Sequence, residues 1–495
     1  MWGEKLAEAA VAAQGPDPEK ARPLVQRLLA DRPGDADALT VSGIIAQRTG
    51  RLDEAVTAFR QACAADPGNA GRHQNLGVAL KNAGAFEDAL KAFATALDLR
   101  PGHPATLANL GACLIAADRH EEALATLTAA GDNADALTNT GVALARLGRH
   151  GEAVAAYHRS LAMSPGHPDT ALNLVDALSA TGQFEAADRL VGQVLRAQPR
   201  NPRAANQLGL IREKQGDFAG AAAAIRPAFD PAAPNHALGV NLARILIRAG
   251  AARDAVAICD RLIATQPSVT TPLAIKLAAL EKLGMAAERD RLMAIDRFVT
   301  AHDIAAPPGF ADLAHFNVAL VHELRTHPSL TFEPEGLVTR QGRQSDDLAT
   351  ADSPAIAALG RIVRDTLASE HARLSAQAAD HPFLRAIPDT WSMTMWGTIL
   401  QPGGQVGAHI HAPNWLSGVY YPAFEGDDGA FAIGMLPAEL GGGGQPVVRQ
   451  PRAGRMILFP SYLWHATLPF AGTADRISFA FDLMPAGIGR PHRLR

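Results

Sequence analysis

Cysteine is nearly missing from this 495-residue chain: only Cys63, Cys113 and Cys259 occur, none at a CxxC spacing. That argues against a disulfide scaffold, a zinc ribbon or an iron–sulfur site, and the thiols read as small core residues of a reducing compartment. No run of about 18 apolar residues exists. The N-terminal MWGEKLAEAAVAAQG lacks a basic segment followed by a clean apolar stretch. Neither a membrane span nor a signal peptide is expected, and the setting is read as cytoplasmic. An excess of basic charge is absent too, with 46 Lys+Arg against 50 Asp+Glu and a net charge of -4. Nucleic acid and membrane are therefore not expected partners. A GxxxxGK[ST] phosphate loop, HExxH and a GxSxG elbow are all lacking, which removes the chemistries those motifs carry. Aromatic residues make up 5%, but unevenly: residues 1–300 hold nine of the 26, and the last 195 hold seventeen. With 47% hydrophobic and 19% charged residues the chain can bury sizeable cores. The aromatic split predicts two kinds of domain, 1–300 and 301–495.

What is abundant is self-similarity. Gly50, Gly84, Asp118, Gly148, Gly182, Gly216, Gly250 and Gly284 recur every 34 residues, with one step of 30. Ala21, Ala55, Ala89, Ala123, Ala153, Ala187, Ala221 and Ala255 keep the same steps, and prolines such as Pro33, Pro67, Pro101 and Pro165 close the units. Each unit reads as a helix pair. Leu-Gly pairs (Leu76-Gly77, Leu110-Gly111, Leu208-Gly209) allow close helix contact. The marker glycine ends the first helix in the left-handed conformation, and proline cannot continue the second. This resembles the tetratricopeptide repeat, over about residues 3–285 as eight units. The unit near 102–133 is four residues short, which predicts a trimmed turn or helix. Arg289 in the alanine position predicts a polar capping helix. The resemblance implies an all-α superhelix whose groove binds a protein or peptide; the alternative is a packing scaffold or an arm for homo-oligomer formation.

After about residue 300 the period disappears. Residues 301–313, with Pro307-Pro308, read as a linker, and 313–328 and 353–377 as helices. From about 391 the runs WSMTMWGTIL, WLSGVYYP, FAIGML, RMILFP and RISFAFDLM read as short strands of an antiparallel sandwich or barrel. The C-terminal region is thus expected to be an α+β domain. In HIHAPNWLSGVYY (409–421), His409 and His411 on a strand would share a face about 6–7 Å apart. They could converge on a metal, or be merely hydrogen-bonded. In GRMILFPSYLWHATLPF (454–470), His465 follows a strand. In DRISFAFDLMP (475–485), Arg476, Ser478, Ala480 and Asp482 face one way and Ile477, Phe479, Phe481 and Leu483 form a core face. A buried guanidinium there needs an anion, either a bound carboxylate or a salt bridge to Asp482 or Asp475.

Together, a His pair, a His 54 residues later and an Arg-x-Ser 11 residues after that resemble the 2-oxoglutarate/Fe(II)-dependent oxygenases. A narrower oxygenase family often fused to tetratricopeptide repeats is similar in the same segments and in LTFEPEGLVTRQGRQSDDL (330–348). The resemblance covers about 310–487 and implies a double-stranded β-helix (jelly-roll) fold. It also implies Fe(II) held by His409, His411 and His465, 2-oxoglutarate held by Arg476 and Ser478, and molecular oxygen as co-substrate. His411 stands where the superfamily usually carries a carboxylate; Glu425, Asp427 or Asp428 could supply an acid instead. Asn414, Tyr420, Trp415 and Trp464 flank the ligands as candidate pocket residues, Asn414 and Tyr420 toward the cofactor and the two tryptophans rather toward packing. Gly441–Gly444 read as a surface loop or a lid hinge. The activity implied is hydroxylation of a protein or peptide recruited by the repeats. A scaffold with a non-catalytic or sensory barrel, and a small-molecule oxygenase oligomerised through its repeats, are the alternatives.

Overall fold

All eight marker positions of the 34-residue period have left-handed backbone in the computed structural model, which describes residues 2–424 and 429–494. The φ values are 66–80° at the seven glycines and 58° at Asp118. The conformation that L side chains avoid is therefore kept even where glycine is not. Each marker separates two antiparallel helices, as in Ala70–Asn82 and Phe86–Leu99. The glycine at this place in the first helix sits under a side chain sixteen positions on: an added Cβ would lie 2.7 Å from Phe93 at Gly77, of a Leu-Gly pair, and 2.4 Å from Tyr157 at Gly141, which follows Thr140. Gly141→Ala is accordingly expected to destabilise its helix pair by about 1–3 kcal/mol, read as a lower midpoint in denaturant. The short unit loses its residues from the second helix. His120–Ala129 has 10 residues where Phe86–Leu99 and His150–Met163 have 14.

The chain divides into two compact units, Met1–Ile211 and Arg212–Arg495. This division falls before the change of element type near residue 300, because the last repeats share one apolar core with the C-terminal sheet. Trp464 donates its indole N–H to the Ala274 carbonyl (2.8 Å), and the Tyr462 hydroxyl donates to the Leu292 carbonyl (2.6 Å). The expected polar cap needs correcting for the same reason. The helix Ala286–Met293 does carry Arg289, paired with Glu281 and Asp290, but it buries Leu292 and Met293.

The C-terminal region is a curled, antiparallel, jelly-roll-like sheet with helices against it, as the sequence predicts. Its strands are β1 (Thr300–Asp303), β2 (Thr331–Phe332), β3 (Thr339–Gln344), β4 (Trp391–His409), β5 (Leu416–Ala423), β6 (Phe431–Ile433), β7 (Val447–Arg449), β8 (Arg455–Pro460), β9 (His465–Thr467) and β10 (Arg476–Pro485). Their order is β1-β8-β5-β10-β4-β9-β6-β7, with β3 pairing both β2 and β4. The expected linker at 301–313 begins instead as strand β1, paired with β8 and tied by Asp303 to Arg452 and Arg455. The helices Leu313–Arg325 and Pro354–Ser375 form where the apolar spacing places them. On β10, Ile477, Phe479, Phe481 and Leu483 are at most 2% exposed and lie in the shared core, which turns the alternate residues toward the interior of the curl. Among the described residues, no helix is long and apolar enough to cross a membrane.

Candidate metal centre

Strand pairing brings the distant histidines together. His409 ends β4 and His465 begins β9, and the two are register partners. The chain then leaves β4, and the His411 backbone N–H donates to the Ser461 carbonyl (3.0 Å), which folds the third imidazole back over the pair. Ring centroids lie 5.0 Å apart for His409–His411, 4.3 Å for His409–His465 and 4.7 Å for His411–His465. One ligand nitrogen from each falls within 4.8 Å of the others.

The hydrogen bonds assign the tautomers. His409 Nδ1 lies 2.8 Å from the Gly407 carbonyl and His465 Nδ1 lies 2.9 Å from the Leu463 carbonyl. Carbonyls only accept, so both Nδ1 atoms carry the proton. His411 Nδ1 lies 2.8 Å from Asp482 Oδ1, and it likewise donates. In the neutral rings every Nε2 is then a bare acceptor, and His409 Nε2 sits only 3.0 Å from His411 Nε2. Burial, followed by the neighbouring His411, lowers the His409 pKa to about 3; burial and both neighbouring rings hold His465 well below 6.5. With the three Nδ1 atoms committed as donors, the Nε2 atoms of His409 and His411 meet at 3.0 Å, a geometry that suits a shared cation.

Depressed histidine pKa values also set a pH dependence. An unfolded imidazole takes up its proton near 6.5, whereas folded His409 resists until about pH 3. The stabilising contribution is thus present above 6.5 and is lost as pH falls through the folded value. The metal-free protein is expected to lose stability progressively across that window, measurable as a falling denaturation midpoint.

Asp482 is an acid held one step behind the histidine cluster. Its Oδ1 accepts from His411 Nδ1 and from Ser417 Oγ (2.6 Å), and its Oδ2 accepts from Asn414 Nδ2 (2.8 Å). The carboxylate fixes the ring and raises its basicity as a ligand. Asp482→Ala is expected to lower divalent-metal affinity about 10- to 100-fold, measured by anaerobic equilibrium dialysis.

Arg476 lies buried at the other end of the same cavity, which Ser478 also lines. Its Nε–H donates to the Gly429 carbonyl (3.1 Å), and its Nη2 reaches the Tyr421 hydroxyl at 3.4 Å. Neither salt bridge considered from the sequence is formed, since Asp482 belongs to the histidine network and Asp475 pairs with Arg325 (2.7 Å). Among the described residues the guanidinium has no carboxylate partner, although burial of this charge is costly without one. Glu425, Asp427 and Asp428 lie outside the described residues.

Two candidate cofactor contacts need correction. Tyr420 points away from the cavity, donating its hydroxyl to Asn317 Oδ1 (2.6 Å) in the helix Leu313–Arg325. Strand alternation puts Tyr421 on the cavity side instead. Asn414 is used up internally: its Oδ1 accepts from the Arg490 N–H (2.9 Å), while its Nδ2 serves Asp482 and the Arg490 carbonyl. It positions Asp482, and does not line the cavity that runs to Arg476. Trp415 stacks on Phe383 (4.8 Å, 13°), and Trp464 bonds the Ala274 carbonyl, so both pack as expected. Gly441–Gly444 form a turn of four left-handed glycines, pinned by Lys282 Nζ on the Gly441 carbonyl (3.0 Å). Sequence reasoning missed Tyr421, Gln344 and Trp396 in the cavity wall and the role of Asp482. The β10 alternation that singled out Arg476 and Ser478 also contained Asp482, and a strand through 416–423 would have separated Tyr420 from Tyr421.

Residues 394–482 match the family described as "Putative 2OG-Fe(II) oxygenase", and residues 5–70, 80–137 and 144–210 match tetratricopeptide-repeat families. Among curated proteins, "Cellulose synthase operon protein C" of Pseudomonas fluorescens (strain SBW25) is 36% identical over 125 residues, 24% of this chain and 10% of that protein. The chain therefore spans about a tenth of the length of that relative. Among solved structures, a tetratricopeptide repeat protein from Parabacteroides merdae ATCC 43184 is 18% identical, with a TM-score of 0.39 over 46% of this chain and 91% of the other. YrrB, described as a TPR protein with an unusual peptide-binding site, is 20% identical, with a TM-score of 0.28 over 36% of this chain and 95% of the other. Likenesses at that level carry no functional conclusion. The chain thus joins tetratricopeptide repeats in its N-terminal part to a C-terminal domain, at residues 394–482, of the family described as "Putative 2OG-Fe(II) oxygenase".

Proposed function

We propose that the C-terminal domain is a 2-oxoglutarate- and Fe(II)-dependent hydroxylase. In this reading His409, His411 and His465 hold the metal, and Arg476 with Ser478 holds the far carboxylate of 2-oxoglutarate. The observation that carries it is the convergence of three imidazoles, with one ligand nitrogen of each within 4.8 Å of the others. The family implies iron; imidazole nitrogen also suits zinc and nickel. Iron and 2-oxoglutarate, when bound, supply oxidation in which 2-oxoglutarate, O2 and R–H give succinate, CO2 and R–OH.

The chain's own residues orient and shield. Asp482 fixes the His411 ring and places a negative charge beside a ligand set that has none. The Arg476 fork and the Ser478 hydroxyl suit a carboxylate in bidentate fashion. Phe431, Phe459 and Val406 wall the cavity with hydrocarbon, which limits water near the reacting atoms. Tetratricopeptide repeats generally mediate protein–protein interaction, which supports a protein or peptide as the molecule recruited. Three free, buried cysteines fit a cytoplasmic setting.

Anaerobically prepared protein, given Fe(II), 2-oxoglutarate and then O2, is expected to form succinate and to add one oxygen to a peptide from a proteome digest. Oxygen found only in a metabolite would favour a small-molecule oxygenase. Binding of iron and 2-oxoglutarate with no turnover would favour a sensory barrel. No binding of either removes the proposal.

A further inference from the structure

His411 is held differently from the other two histidines. His409 and His465 are partners on paired strands, and each ring donates to a carbonyl two residues earlier, Gly407 or Leu463. His411 lies two residues past the end of β4, outside regular secondary structure. Its ring depends on what surrounds it, and two of its supports lead to the segment that follows β10.

The first support runs through an amide. Asp482 accepts from His411 Nδ1 on one oxygen and from Asn414 Nδ2 on the other (2.8 Å each). Asn414 is buried, and Arg490 takes up the rest of its amide with backbone groups alone. The Arg490 N–H donates to Asn414 Oδ1 (2.9 Å), and Asn414 Nδ2 donates to the Arg490 carbonyl (3.1 Å). Without that N–H a buried amide oxygen is left unpaired, a cost the side chain escapes by turning away from Asp482.

The second support is a stack of rings. The Trp396 ring lies 5.3 Å from the His411 ring, and His492 stacks on Trp396 with centroids 4.3 Å apart and 11° between planes. His492 is itself fixed, its backbone N–H donating to Thr394 Oγ1 (3.0 Å) and its Nε2 to the Ser345 carbonyl (3.1 Å). Thr394 and Trp396 are the β4 partners of Asp482 and Ala480 on β10, so both supports approach on one face of the sheet.

We propose that Arg490 and His492 are positioning residues for the metal. They hold His411 where the other two imidazoles need it, Arg490 through Asn414 and Asp482, His492 through Trp396. This rests on the three-histidine assignment above.

The test uses the full chain and Mn(II), with binding read by water-proton relaxation and folding by circular dichroism. Arg490→Ala keeps both backbone groups, whereas Arg490→Pro lacks the N–H. Arg490→Pro is expected to bind Mn(II) roughly tenfold more weakly than Arg490→Ala, the low end of the cost of losing an outer partner. With Asp482→Ala in the background the same exchange is expected to change nothing further, because the path to His411 is already cut. A general loosening of the fold would cost the same in both backgrounds. His492→Ala is expected to weaken binding by a similar factor, and His492→Phe, which keeps a flat ring on Trp396, to restore it. If the native chain does not bind Mn(II), the three-histidine assignment fails and this inference falls with it. Native binding with equal affinity in the two Arg490 variants, or an equal loss in both backgrounds, overturns the path through Asn414. Unchanged affinity in His492→Ala overturns the path through Trp396. Should Arg490→Pro not fold, the His492 pair decides the proposal alone.

Discussion

His465→Ala abolishes metal binding: the expected loss in Fe(II) affinity exceeds roughly 100-fold, the upper end of what removal of an outer partner costs. In the proposed site three imidazoles supply the ligands, and among the described residues no acidic neighbour is free to replace one. Asp482 is engaged by His411, Ser417 and Asn414, and Thr467 and Ser478 offer only neutral hydroxyls. The variant leaves a cavity where a small buried ring stood, but it also removes one of the lone pairs that crowd the metal-free site. Two readouts follow. In the native protein, saturating Fe(II) raises the melting temperature, since a ligand that binds only the folded state stabilises it by mass action. In His465→Ala that rise disappears while the metal-free melting temperature changes far less. Binding is read by anaerobic dialysis and stability by scanning calorimetry, and retention of stoichiometric iron in the variant would refute a three-histidine site.

Arg476 is expected to separate the co-substrate from the metal. Truncating one partner of a buried, hydrogen-bonded charge pair costs about 2–5 kcal/mol, so Arg476→Met should weaken 2-oxoglutarate binding by roughly 30- to 4,000-fold and leave Fe(II) affinity intact. The informative half of this prediction concerns the ligand-free protein. Among the described residues the guanidinium lacks a carboxylate and is held by the Gly429 carbonyl and the Tyr421 ring and hydroxyl. Burial pulls its pKa down. Replacing an unpaired buried charge with an apolar side chain of similar size is neutral or stabilising. The metal-free, ligand-free melting temperature of Arg476→Met should therefore stay level or rise. An arginine kept for structure would show the reverse: a lower melting temperature and unchanged 2-oxoglutarate affinity, measured by titration calorimetry on Mn(II)-loaded protein.

Much of this was legible in the residues, and where it failed the reason is local. The repeats could be read because three markers keep one period, and the left-handed backbone at Asp118 obeys that period although its residue type does not. The four missing residues of one unit could be counted from spacing; which helix lost them could not, until His120–Ala129 proved the shorter. The strand of Arg476, Ser478 and Asp482 was visible as an alternation, because one face had to be apolar. Tyr420 and Tyr421 were not separable by residue type. Only the pairing of β5 with β10 turns one toward Asn317 and the other toward Arg476. β1 was hidden by the prolines that follow it, and its pairing with β8 spans more than 150 residues. Asp482 looked like an ion-pair partner for its strand neighbour, whereas the fold supplies a nearer claimant in His411. Local pattern named the groups, and long-range pairing decided which groups met.

X-ray absorption of the Fe(II)-loaded protein, recorded without oxygen, tests the centre most directly. The account predicts multiple-scattering features of three imidazole rings at about 2.0–2.1 Å, the usual length of a divalent-metal bond to histidine nitrogen, with one ring lost in His411→Ala. Two rings with a protein carboxylate in the native protein, unaltered in His411→Ala, would contradict it.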